Sequence, residues 1–96
     1  MATELTDQIK SDVTDLTDML TSSMTVMQKN AYSKFIMFPK CFQFIDDAKF
    51  VQSITLWYTL FVNISGLSDD AIDMSHSDDF DKIRRIKDLI VSSKDM

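Results

Sequence analysis

The side chains able to do chemistry in this chain are few and scattered. Its one histidine, His76, sits in Ser75-His76-Ser77, and its one cysteine, Cys41, follows Lys40. General acid–base catalysis at neutral pH usually recruits histidine, whose pKa lies near the working range. His76 with Asp73 and Asp78 could offer zinc ligands, but a solvated loop histidine accounts for the same residues. Cys41 as a nucleophile would need a base to form its thiolate, and no histidine is near it in sequence. Six aspartates fall between positions 69 and 81. Counted from Asp69 or Asp73, they lack the glycine at position 6 and the glutamate at position 12 of an EF-hand loop. They read as a solvated acidic loop or a negative docking patch. A single glycine, Gly66, cannot build a phosphate-cradling loop, and GxSxG, CxxC and HExxH are all absent. The expectation is no enzyme, with no catalytic, cofactor-binding or metal-binding residue.

The 96 residues suffice for one domain and one modest core. Apolar residues make up 45% and charged residues 26%, the balance of a globular chain. A net charge of −5 argues against nucleic acid or an anionic membrane, because phosphate binding needs clustered Lys and Arg. One cysteine cannot form an internal disulfide, which suits a reducing, cytoplasmic setting. The polar, acidic start MATELTDQIK offers no secretory or transit pattern, and Ala2 does not suit N-myristoylation. Without a secretion signal, the sequon Asn63-Ile64-Ser65 carries no meaning.

With one Gly and one Pro, the chain has too few turn formers for a sandwich of short strands, so the fold class is all-α. Leu5, Ile9, Val13, Leu16, Leu20, Met24 and Met27 step by 4, 4, 3, 4, 4, 3, one stripe on an almost straight helix over about 4–29. Thr3 or Thr6 would cap it. Its three Thr-Asp pairs are poor helix formers, so the stripe must pack on something. Pro39 should bend the chain within an aromatic connection at 31–45. Residues 50–64 alternate like a strand, yet Phe50, Ile54, Trp57, Phe61 and Ile64 also step 4, 3, 4, 3. Asp46 or Asp47 as cap and Gly66 at the end favour a helix over 47–64. Being apolar nearly all round, it should be central, with Trp57 deeply buried. Ser68 could cap a short turn through Asp73, and Ser77 could start a third main helix over 78–92. Asp81 and Arg85 would form an i,i+4 pair on it. The reading is a single-domain bundle of about three main helices, with residues 93–96 frayed.

Phe50–Ala71, "FVQSITLWYTLFVNISGLSDDA", resembles the Leu-Trp helix of a small subunit of the fungal DASH/Dam kinetochore ring. The shared pattern is a Phe seven residues before the Trp, then Leu-Trp-x-[ST]-[LF]-[FY]. It covers under a quarter of the chain. Upstream that family has an uninterrupted helix where this chain has Pro39. The resemblance implies a helical assembly subunit.

The stretch "KFIMFPKCFQF" (34–44) holds four phenylalanines, Met37 and Cys41 around Pro39. If the proline bends the chain, the four rings cannot share one helical face, and some must point away from the core. Large leftover apolar surface usually marks an interface, and Met19, Met24, Met27 and Met37 near this stretch suit an adaptable one. The expected contact residues are Phe35, Met37, Phe38 and Phe42. The expected role is a non-enzymatic assembly subunit, a homo-oligomer or part of a larger protein complex. The alternative is a small acidic inhibitor or regulator that occupies a basic site on another protein.

Overall fold

The structure, a computed structural model, describes residues 2–42 and 44–94, with side chains from Thr6 to Ser93 except Gln43. The described residues form six helices and no strand: α1 (Ala2–Ser22), α2 (Val26–Ala31), α3 (Ser33–Phe42), α4 (Asp47–Ser65), α5 (Asp69–Met74) and α6 (Asp78–Lys94). The all-α class stands, and the strand alternative for 50–64 falls. Four helices carry the packing, where the sequence suggests three. α1 and α4 touch each other, and both touch α3 and α6, so α3 and α6 take the two flanks of a central pair. The short α2 packs on α3 and the short α5 on α6. Extents of 39 × 33 × 20 Å describe the resulting flat body, about two helices thick.

α4 forms where its caps direct. Asp46 accepts a hydrogen bond from the Lys49 amide at 2.9 Å, and Gly66 closes the helix in the left-handed region at φ 72°. Phe50, Ile54, Trp57 and Phe61 are its fully buried stripe. Trp57 lies between Phe35 (5.6 Å, stacked) and Phe61 (5.2 Å, stacked). Its Nε1–H donates to Thr17 Oγ1 of α1 at 3.0 Å, and that hydroxyl donates on to the Val13 carbonyl. Thr14 and Thr21 likewise return their hydroxyls to the carbonyls of Lys10 and Thr17. The threonines that weaken α1 locally are therefore tied to their own backbone, and one of them serves the core.

Three boundaries depart from expectation. α1 stops at Ser22, not near 29, because Ser22 and Ser23 bond the carbonyls of Met19 and Leu20 and Thr25 starts a new helix. Thr25 and Gln28 form a reciprocal capping box. The stripe thus ends at Leu20, with Met24 half-buried and Met27 exposed. Thr3 and Thr6 lie within α1, so neither is its cap; the side chain of Leu5 lies outside the described residues. The second departure is Pro39, which does not end a helix but sits buried inside α3. Its missing amide leaves the Phe35 carbonyl without the usual partner, while its ring lines the α1–α3 cleft beside Thr14, Thr17 and Thr21. The third is the C-terminus: α6 runs to Lys94, and residues 95–96 lie outside those described.

Candidate interaction surface

α3 divides its side chains sharply. Phe35, Pro39 and Phe42, at i, i+4 and i+7, are buried. Phe42 meets Phe50 edge-on at 4.8 Å and Phe38 in a stack at 6.0 Å. Two of the four expected contact residues, Phe35 and Phe42, are each only 1% exposed, so they belong to the chain's own core. The physical reason is Pro39: because α3 continues through it, helical spacing brings Phe35 and Phe42 to one face. Of the other two, Met37 is 54% exposed, while Phe38 is half-buried and packs against the core. With Ser33, Lys34 and Cys41 they line a shallow hollow of about 260 Å³.

The apolar surface extends beyond α3. Phe44, in the turn after the helix, is 87% exposed, and Val26 and Met27 of α2 are 75% and 82% exposed. No residue of α2 is buried. Between Asp18 and Asp46 the chain has no acid and three lysines, Lys29, Lys34 and Lys40. All three are exposed, and none has an ion pair among the described residues. The outward side of α2–α3 therefore carries apolar and basic side chains, with Lys34 at the hollow and Lys40 in the α1–α3 cleft beside Asp18, on a chain whose net charge is −5. Phe44 and the lysine setting escaped the sequence reading; the uninterrupted absence of acids across 19–45 was the available signal.

The acidic segment is organised differently. Lys87 reaches Asp73 at 3.4 Å and Asp69 at 3.7 Å. Burial alone would lower the Lys87 pKa, yet the Asp73 hydrogen bond and the two carboxylate charges together raise it. Arg84 pairs with Asp81 and also donates to the carbonyls of Ile72 and Ser75. Arg85 does not form the expected pair with Asp81. It turns to Asp12 on α1 through Nε (2.8 Å) and Nη2 (2.9 Å), and its hydrogen bond to that carboxylate raises its pKa. Asp12 is fully buried and also accepts from Gln8 Nε2 at 3.0 Å. Asp70, Asp78 and Asp79 are exposed, with no ion pair among the described residues.

The described residues contain no group of three His, Cys, Asp or Glu side chains placed to hold a metal, and no helix long and apolar enough to cross a membrane. His76 and Cys41 are both exposed and lie on different elements, in the α5–α6 link and on α3. No family model, no curated protein and no solved structure matches this chain.

Proposed function

We propose that this chain is a non-enzymatic helical assembly subunit that buries the outward side of α2–α3 and Phe44 against protein. The observation that carries this reading is the exposure of Val26, Met27, Met37 and Phe44 on a chain whose own core is already closed around Trp57. Exposed apolar residues scattered singly are ordinary; here the sequence between 26 and 44 concentrates them, beside a hollow. Burying such surface is worth about 25 cal/mol per Å², and methionine adapts to an uneven partner. Reducing, cytoplasmic conditions fit the exposed Cys41.

A second reading, a small acidic regulator that fills a basic site on a host, draws on the unpaired Asp70, Asp78 and Asp79. The kinetochore-ring likeness draws on the Leu-Trp pattern of α4 alone. The test is molecular mass by light scattering for the wild type and for Met37→Ser, Phe38→Ser and Phe44→Ser, beside a pull-down from the native source. Association that these substitutions abolish, with helicity retained, supports the subunit reading. A wild type that stays monomeric when concentrated and captures no protein removes it.

A further inference from the structure

Two groups of exposed side chains without an ion pair among the described residues lie on different elements. Lys29, Lys34 and Lys40 lie on α2–α3, while Asp70, Asp78 and Asp79 lie on α5 and the start of α6. α3 and α6 each pack on both α1 and α4, and no ion pair joins these lysines to these aspartates within one molecule. We propose that the occupant of the basic, apolar α2–α3 face is a second copy of this chain, docked through its acidic α5–α6 edge. The inference rests on the reading of α2–α3 as a contact surface and names what covers it.

Three observations select this occupant. The edge carries unpaired carboxylates opposite in sign to the three free lysines, and unlike charge steers and registers a contact. It also carries Met74, 78% exposed and one turn from Asp70 on α5, so an apolar side chain accompanies the acids. A flexible thioether is suited to the hollow between Met37 and Phe38. Finally, the whole chain is at −5, which opposes an anionic lipid surface or nucleic acid, whereas a second copy brings six of its fifteen acids between positions 69 and 81.

The contact joins unlike surfaces. Each added copy leaves one basic face and one acidic edge open, so the association is head-to-tail and extends with concentration instead of stopping at a two-fold dimer.

The experiment uses the full chain in sedimentation and light scattering over a concentration series. The expected wild-type mass climbs past that of a dimer at low salt, and raising salt from about 0.02 M to about 0.5 M weakens association roughly tenfold as the charges are screened. Lys34→Glu/Lys40→Glu and Asp70→Lys/Asp78→Lys should each be monomeric alone, with circular dichroism confirming retained helix. Mixed in equal amounts, the two should form a complex again, because each supplies the charge the other now lacks. Charge-reversed chains that associate like the wild type, or a mixture that stays monomeric, overturn the proposal. If Met37→Ser/Phe38→Ser alone releases monomers, α3 remains a contact surface and the acidic edge is refuted as its partner. Lysine-dependent binding to anionic vesicles by a monomeric wild type would replace the second copy with a membrane.

Discussion

Trp57 illustrates how much one polar atom in a core decides. Its Nε1–H has Thr17 Oγ1 as acceptor, so Thr17→Val, similar in shape, should cost about 1–3 kcal/mol by leaving that donor unpaired; urea unfolding measures it. Tyr58 is the converse case. Its Oη is buried with no hydrogen-bond partner among the described residues, so Tyr58→Phe should stabilise by about 1 kcal/mol. Burial, first among its causes, raises the Tyr58 pKa above the ordinary 10.0. As pH climbs past 10.0 the unfolded chain loses this proton before the folded one does. Stability is thus fully kept below that pH and declines above it. Tyr58→Phe should flatten that alkaline decline in thermal melts between pH 9 and 11; an unchanged slope would locate its origin elsewhere. Asp12 completes the set. Arg85→Met leaves its buried carboxylate without a cation, at a cost of about 2–3 kcal/mol given that Arg85 is itself partly solvated. Asp12→Leu added to Arg85→Met should recover most of that loss.

At the scale of elements, legibility followed local signals. α4 was readable because both ends are marked, by Asp46 and by Gly66, and the spacing between them is regular. Gly66 has φ 72°, and a Cβ there would meet open space. Gly66→Ala should therefore cost about 1 kcal/mol through backbone strain alone, read as a drop in denaturation midpoint without any change in helix content. α1 was over-extended because periodicity survives the break: Met24 and Met27 keep the step while Ser22, Ser23 and the Thr25–Gln28 box end and restart the helix. The box was in the sequence and outweighed the stripe. Pro39 misled for a physical reason. A proline costs a helix roughly 3 kcal/mol in isolation, and what offsets this is the burial of Pro39, Phe35 and Phe42 against α1 and α4, a tertiary effect with no local sign. The Asp12–Arg85 pair was equally hidden, since its partners are 73 residues apart; a lone aspartate one position before Val13 of the stripe was the sole hint.

At the scale of the whole molecule, the flat arrangement shares burial unevenly among the helices. α1, α3, α4 and α6 share the buried apolar residues apart from Ile72 of α5, whereas α2 buries none. Six residues are too few to hold helical shape by themselves, and α2 is secured chiefly by its capping box and its seat on α3. Segments of this kind open locally while the rest stays shut. Brief trypsin treatment should therefore cut first after Lys29, and the two pieces should still co-elute at neutral pH, held by α1 against α4 and α6. Amide hydrogens of 26–31 should exchange far ahead of those in α4. A subunit docked over α2 and α3 would slow both processes, so cleavage at Lys29 doubles as a clock for occupancy. A helix that buries none of its own side chains would then report, without any label, whether its neighbour has arrived.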